Sequence, residues 1–194
     1  MAKFTREQIE EALKCNGYDV NIVGIRNSDT HGEVTNKFDD TLTISYKDLN
    51  GKWIYSEYKA TTDPGSHWEK NLMNKDGVAI LKPGQYRGSH QLGLHQGKYE
   101  ALRQKSPVKV YRDNNKDGKY DMIEENVHEG IFGINIHKAG KFVNGSTQID
   151  KWSAGCQVFS KESDFNEFMD VCRKASDVWG NSFTYTLIES NDIS

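Results

Sequence analysis

Short segments in which apolar and polar residues alternate run through most of the chain, and turn residues separate them. A period of two is typical of a strand that presents one face to a core. The strand candidates are 20–25, 41–46, 53–58, 77–81, 108–112 and 183–188. Asn50-Gly51 lies between the second and third candidates and predicts that they form an antiparallel hairpin. The chain is therefore expected to be built mainly from short, antiparallel strands.

Helical signals occur at the two ends of the chain. Thr5 and Gln8 have the spacing of a capping box, which predicts a short helix that ends at Asn16-Gly17. A second helix is predicted after Ser160, because apolar residues recur there at helical spacing: Phe165, Phe168, Met169, Cys172 and Trp179. We thus expect an α+β chain that is mainly β, with flanking N-terminal and C-terminal helices.

Length, net charge and cysteine count limit the domain organisation and the kinds of partner that we expect. A chain of 194 residues supports a single domain, 1–194, divided into an N-terminal helix (1–18), a hairpin region (19–60) and a core (60–190). A net charge of −3 argues against a nucleic-acid partner, and no apolar run is long enough for a membrane span. The odd count of three cysteines fits synthesis in the reducing cytoplasm, and the charged amino terminus does not resemble an export signal. A monomer is expected.

The segment 133–159 carries the residues with the clearest chemical meaning. Cys156 becomes a good nucleophile as a thiolate, and an imidazole within hydrogen-bond reach, such as His137, favours that form. Gly155 allows a sharp turn in which main-chain N–H groups face a developing oxyanion. Ser153 is expected to orient the turn or His137. The alternative interpretation is a buried imidazole and a buried thiol without a joint role.

This segment resembles the L,D-transpeptidase catalytic domain of bacterial cell-wall enzymes. In that family a histidine precedes, by some fifteen residues, a Ser/Thr-His-Gly-Cys motif; here fifteen residues separate His137 from Ser153-Ala154-Gly155-Cys156. The resemblance implies that Cys156 is the nucleophile, that His137 is its base, that 153–156 forms the oxyanion turn and that the core is an antiparallel β-sandwich. It extends as a pattern over 60–159. The chain departs from the motif at Ala154 and at Gln157-Val158, where the family has an apolar residue and Arg or Asn.

Substrate-binding residues are predicted in a polar, glycine-flanked stretch and beside the motif. The stretch 84–90 is expected to be a loop that suits a short peptide or a sugar, with an ordinary solvated loop as the alternative. The candidates are Tyr86, Arg87, His90, His95, Trp152 and Gln157.

A calcium loop is the second motif. Asp113, Asn115, Asp117, the Lys119 carbonyl and Glu124 have the spacing of EF-hand ligands. The flanking segments look like strands rather than helices, so a hairpin turn with Asx-type hydrogen bonds is the favoured alternative. The cysteine chemistry itself requires no cofactor, and calcium remains the one candidate.

These observations favour a cysteine peptidase that hydrolyses peptidoglycan stem peptides through an acyl-enzyme, as an endopeptidase or carboxypeptidase. Without an export signal, such an enzyme is expected to reach the cell wall after release or delivery, as a lysin of phage or prophage type does. The alternatives are an L,D-transpeptidase proper, an inactive module that binds cell wall on the same scaffold, and a calcium-controlled structural protein. A zinc hydrolase that uses His67, His90 and His95 is the weakest of them, because their spacing matches no ligand motif.

Overall fold

The computed structural model describes residues 3–12, 20–140 and 144–193. In these ranges the α-helices are α1 (Arg6–Ala12), α2 (Ser66–Lys70) and α3 (Glu162–Trp179). Helices α1 and α3 confirm the helical signals near the two ends of the chain. The predicted stop at Asn16-Gly17 lies outside the described residues, as does Cys15. Over these same ranges, no helix combines the length and the apolar character that crossing a membrane requires.

Strands make up most of the remaining regular structure. They are β1 (Val20–Arg26), β2 (Asp40–Lys47), β3 (Trp53–Thr61), β4 (Val78–Leu81), β5 (Gly84–His95), β6 (Tyr99–Gln104), β7 (Val108–Asp113), β8 (Val127–Gly130), β9 (Ile136–Lys138), β10 (Gln157–Phe159) and β11 (Phe183–Glu189). Strands β2 and β3 pair in antiparallel register across the Asn50-Gly51 turn, which confirms the predicted hairpin.

The strands form a closed barrel and a separate small sheet. The barrel order is β1-β11-β5-β6-β9-β10-β3-β2, and β2 closes the ring by pairing with β1. Strands β4, β7 and β8 form the three-stranded sheet, in the order β4-β7-β8. The predicted antiparallel β-sandwich is therefore wrong. Two parallel pairs, β1 with β11 and β9 with β10, join segments that are distant in sequence and allow the sheet to close on itself.

The predicted binding loop at 84–90 is also wrong, because these residues begin the long strand β5. That strand pairs with β11 on one side and with β6 on the other, so its polar and glycine residues lie in the barrel wall. Ser89 and His90 are buried in it. Polar side chains obscured the strand in the sequence because part of this buried surface is filled by hydrogen-bonding groups rather than by aliphatic groups.

Helix α3 packs its apolar stripe against the main core. Phe168 lies against Phe159 of β10, with 4.9 Å between ring centroids, and Phe165 packs edge-on to the same ring at 5.6 Å. Cys172 is buried in this cluster, as the helical stripe predicts. Trp179 is the exception. It is 46% exposed and its indole Nε1 donates a hydrogen bond to the Lys47 carbonyl at 3.0 Å, so it packs at the end of the β2–β3 hairpin.

A buried charge cluster holds the loop that follows β3. The Arg26 guanidinium is fully enclosed; its Nε lies 2.9 Å from Asp63 Oδ1, and its Nη2 donates to the Leu81 carbonyl at 3.0 Å. Asp40 accepts hydrogen bonds from the Thr62 N–H at 2.6 Å and from the Thr62 hydroxyl at 2.9 Å. Burial, together with the charge of Asp63, raises the pKa of Asp40 to about 7. Because Thr62 and Asp63 belong to this cluster, the loop that continues to Gly65 has a fixed position.

Candidate active site

Cys156 lies in a tight turn that Ser153 closes. The Ser153 hydroxyl donates a hydrogen bond to the Cys156 carbonyl at 2.7 Å and accepts one from the Gly155 N–H at 3.1 Å. The Ser153 carbonyl accepts the Gly65 N–H at 2.8 Å, which ties the turn to the loop after β3. The hydrogen bonds of Ser153 therefore orient the turn, and they do not orient the His137 ring. Since the Gly155 N–H already donates to Ser153, it is not the free oxyanion donor that the motif suggests.

Gly155 occupies a position that no other residue fits without a shift. Its φ is +126°, and a Cβ placed on it would lie 2.4 Å from the Ala79 carbonyl oxygen of β4. Only a residue without a Cβ allows so close an approach of two backbones. The turn is thus held between the barrel strand β10 and the edge of the three-stranded sheet.

The barrel places His137 beside this turn. Strands β9 and β10 are parallel neighbours in which Gln157 aligns with Ile136 and Val158 aligns with His137. Residues aligned across a pair, and residues two apart on one strand, point to the same face of a sheet. Cys156 directly precedes β10, two residues before Val158, and Cys156 and His137 both line one cavity of about 970 Å³.

The hydrogen bonds of His137 define its tautomer. Its Nδ1 lies 2.8 Å from the Lys138 carbonyl oxygen and 3.4 Å from the Tyr99 hydroxyl. A carbonyl oxygen only accepts, so Nδ1 carries the proton and Nε2 has the free lone pair. Nε2 is therefore the ring nitrogen of His137 that can accept a proton.

A second histidine supports the first. The ring of His95 stacks on the ring of His137, with 4.2 Å between centroids and 24° between planes. The Asn135 side-chain amide donates to His95 Nδ1 at 3.2 Å, while its carbonyl oxygen accepts the Gln104 main-chain N–H at 2.9 Å. Because Nδ1 of His95 accepts, the proton of that ring is on Nε2. Both rings are neutral and fixed in orientation.

The pKa values of His137 and Cys156 favour the neutral imidazole and the neutral thiol in the free protein. Burial, helped by His95, lowers the pKa of His137 to about 4. Burial raises the pKa of the Cys156 thiol to about 11, and the main-chain N–H of Asn135 partly opposes this effect. The thiol of Cys156 donates a hydrogen bond to the Gly133 carbonyl, with 3.2 Å between sulfur and oxygen, and not to His137. A preformed thiolate–imidazolium pair is therefore not the resting state.

The predicted substrate-binding residues divide into two groups. His95 and Trp152 line the cavity with Cys156 and His137, whereas Tyr86, Arg87, His90 and Gln157 do not. Arg87 is exposed on β5, on the barrel wall. The Tyr86 hydroxyl donates to the Lys82 carbonyl at 2.5 Å, a contact between two parts of the scaffold.

His90 and Gln157 lie behind the site. The Nε2 of His90 donates to the Ile134 carbonyl at 2.8 Å, and burial lowers the pKa of this imidazole to about 4. Gln157 accepts the Tyr185 hydroxyl at 2.6 Å and donates to the Gly155 carbonyl at 3.2 Å. Its position after the cysteine is thus used to connect the turn to the barrel interior, where the resembled family has a residue that helps to hold the substrate.

Sequence reasoning missed the residue that holds the cavity segment 130–135. The side chain of Gln104 accepts the N–H groups of Phe132 and Ile134 at 3.1 and 2.9 Å, and it donates to the Gly130 carbonyl at 2.9 Å. This segment carries Gly133, the acceptor of the cysteine thiol. No local pattern identifies Gln104, because its partners are 26 to 30 residues away in sequence.

The calcium motif forms a series of Asx-type turns. Asp113, Asn115 and Asp117 each accept a main-chain N–H two residues further on, at 3.2, 3.1 and 2.9 Å. Glu124, the candidate ligand at the end of the loop, forms an ion pair with Lys82. In the described part of the chain, no three His, Cys, Asp or Glu side chains converge as a metal site, either here or around His67, His90 and His95. Calcium binding stays a prediction, and the contacts support the alternative of a hydrogen-bonded turn.

Comparison with known proteins identified no relative of this chain. No family model matches the chain, and no match is found among curated proteins or solved structures.

Proposed function

We propose that this chain is a cysteine peptidase that hydrolyses peptidoglycan stem peptides through an acyl-enzyme. One observation carries the proposal: His137 of β9 and Cys156, which directly precedes the parallel strand β10, line one cavity, and among the described residues no hydrogen bond occupies Nε2 of His137. A nucleophile next to a base that a third group orients is the arrangement of covalent acyl transfer. The choice of peptidoglycan as the substrate comes from the resemblance to L,D-transpeptidases and is part of the same proposal.

The first half-reaction begins with a neutral thiol. Substrate binding displaces the Cys156 thiol from the Gly133 carbonyl, and rotation of the side chain brings its proton to His137 Nε2. Such hydrogen bonds are often long or absent before substrate binds. The thiolate attacks the scissile carbonyl carbon, a C–S bond forms, and the carbonyl π electrons move to oxygen. We assign the stabilisation of this oxyanion to the main-chain N–H of Cys156, because that of Gly155 donates to Ser153.

The second half-reaction releases the product. The low pKa of His137 makes its imidazolium a strong acid, so it readily protonates the leaving amine as the C–N bond breaks. This leaves a thioester on Cys156. Water then attacks the thioester, gives a proton to His137 and forms the carboxylic acid, while the sulfur leaves and regains its proton. An amine in place of water would make the same site a transpeptidase.

A second candidate is a cell-wall-binding module without activity. The observation in its favour is the hydrogen bond from the Cys156 thiol to the Gly133 carbonyl, which gives the sulfur a partner other than the base. Raised pKa values are also common for thiols with a purely structural role.

Incubation of purified peptidoglycan with the wild-type chain and with Cys156→Ala distinguishes these candidates. We expect the wild type to release soluble peptides whose masses show one added water per cleaved bond, and Cys156→Ala to release none. Cys172→Ala is the matched control, because its thiol is buried in the core away from the cavity. Identical fragment profiles for the wild type and Cys156→Ala, with retained binding to the wall material, would favour the module. Cross-linked products after addition of an acceptor amine would instead identify a transpeptidase.

A further inference from the structure

The cavity that contains Cys156 and His137 has a charge opposite to that of the whole chain. Its lining includes four basic side chains, Lys98, Arg112, Lys138 and Lys151, and among the described residues no carboxylate. The chain as a whole carries a net charge of −3. A cleft with charges of one sign concentrates the field and raises the local concentration of oppositely charged ligands.

Most of these cations form no ion pair with the described residues. Lys138 forms an ion pair with Glu162 and lies over the ring of Tyr99. In the ranges that the structure describes, Lys98, Arg112 and Lys151 take part in no ion pair. Three of the four cations thus have no ion-pair partner within the described ranges.

Arg112 is held next to the nucleophile turn. It aligns with Ala79 across the β4–β7 pair, and Ala79 is the residue whose carbonyl lies against Gly155. The Arg112 guanidinium donates to the Gly77 carbonyl at 3.0 Å and lies 4.8 Å from the ring centroid of Phe132. Asp76 is the acid whose charge acts on it, and Asp76 is outside the cavity lining. A partly buried guanidinium in a fixed orientation is suited to bind a carboxylate.

The rest of the lining suits the uncharged part of a peptide. Trp68 and Trp152 contribute aromatic surface, and Met73 and Ile131 are 73% and 63% exposed. Pockets for organic ligands commonly combine apolar walls with a few polar groups that fix orientation. Lys151 and Trp152, adjacent in sequence, both line the cavity, so it combines a cation with an aromatic ring.

We infer that the cavity binds acidic peptides through their carboxylates, with Arg112 and Lys151 as the principal partners and Lys98 as a third cation. The inference builds on the proposed function, since it names the chemical form of the stem peptide that this site prefers. Free carboxylates favour binding, and amidation of the same peptide weakens it. The cations thus take the role of substrate holder that the residues after Cys156 do not fill.

The test uses the full chain with Cys156→Ala, which separates binding from turnover. The probe is a synthetic tetrapeptide with the alternating L and D residues of a peptidoglycan stem, prepared with free carboxylates and with every carboxylate amidated. Calorimetry is expected to show binding of the carboxylate form at least about tenfold tighter than that of the amide, which is the effect of one charge-assisted hydrogen bond. Raised salt should reduce this difference.

Arg112→Gln and Lys151→Gln, each added to Cys156→Ala, are expected to reduce affinity for the carboxylate form roughly fivefold to tenfold. Neither should change affinity for the amide. Lys174→Gln is the matched control, because Lys174 is exposed on α3 outside the cavity. Lys151 is also exposed, so its variant keeps the test valid if loss of the Arg112 contacts impairs folding.

The inference would be overturned by equal affinity for the two peptides or by absence of binding to either. It would also be overturned if both cavity variants kept the affinity of Cys156→Ala. These outcomes are independent of the catalytic proposal. A wild-type chain that fails to cleave peptidoglycan but prefers the carboxylate peptide contradicts the proposed function and keeps the present inference.

Discussion

The imidazole of His95 lies against the imidazole of His137, with 4.2 Å between the ring centroids. Proximity to His95 is one of the causes that lower the pKa of His137, after burial itself. The stack therefore fixes the plane of the proposed base and also keeps that base neutral. His95 acts through His137, so we regard it as a positioning residue.

Replacement of His95 by Phe keeps a flat ring in the stack but removes the imidazole. We expect the pKa of His137 to rise from about 4 and to remain below its ordinary value, because burial still opposes the charge. NMR titration of the His137 ring measures this shift directly, and the acidic limb of the pH–rate profile should move upward with it. His128→Ala, on the exposed surface of β8, is the control. An unchanged His137 titration in His95→Phe would contradict this role.

The thiol of Cys156 is expected to react slowly with iodoacetamide at neutral pH. With the pKa of this thiol raised to about 11, only about one molecule in ten thousand carries the thiolate at pH 7. Because the thiolate is the reactive form, the labelling rate should rise about tenfold for each pH unit up to roughly pH 10. Peptide mapping by mass spectrometry identifies the labelled cysteine, and Cys172, buried in the core, is the internal reference. A fast rate that stays constant between pH 6 and 8 would show a preformed thiolate instead.

Two glycines with positive φ should respond differently to replacement by alanine. At Gly155 the new methyl group would meet the Ala79 carbonyl oxygen at 2.4 Å, in addition to the strain of a φ of +126°. We expect Gly155→Ala to lower the free energy of unfolding by about 2–5 kcal/mol, through overpacking and strain together. At Gly97, φ is +72° and no atom lies within 4 Å, so Gly97→Ala should cost only about 1–2 kcal/mol. Urea unfolding measures both values, and equal losses would refute the proposed close packing of the turn against β4.

Arg26 is expected to be among the most sensitive positions for stability. Arg26→Met would leave Asp63 and Glu189 buried without their cation, at a cost of about 3–5 kcal/mol in the free energy of unfolding. Arg173→Met is the matched control. Arg173, on the exposed face of α3, pairs with Asp170 and with Glu100 of β6, and loss of an exposed ion pair costs about 0–1 kcal/mol. Chemical denaturation compares the two variants. A loss of 1 kcal/mol or less in Arg26→Met would show that the cluster adds little to the stability of the fold.

The sequence predicts local structure in those segments where apolar residues recur with the period of a strand or of a helix. Alternating β-branched and aromatic residues identify β1, β2, β3 and β11, and a helical stripe identifies α3. Alternation states which face a residue takes, but it carries no information on which strands pair. The barrel includes two parallel pairs whose partners are separated in sequence, β1 with β11 and β9 with β10. The sandwich, which the resemblance to L,D-transpeptidases implied, is therefore the wrong architecture.

The candidate site is predicted only in part, for a related reason. His137 and Cys156 belong to one short segment, so their spacing could be read from the sequence, and the structure places both in the lining of one cavity. His90 and Gln157 look like exposed binding groups in the sequence because they are polar. Their hydrogen bonds to the Ile134 and Gly155 carbonyls, which a sequence does not show, make them buried supports instead.

The position of β11 in the barrel has a consequence for how the chain folds during synthesis. This strand lies between β1 and β5, although it comes after the other seven barrel strands in sequence and is made after them. Until it emerges, two strand edges with unpaired N–H and C=O groups are open to neighbouring chains. In an overproducing cell the nascent chains are therefore most prone to pair with one another before residues 183–189 are made, and slower translation of these residues would lengthen that interval.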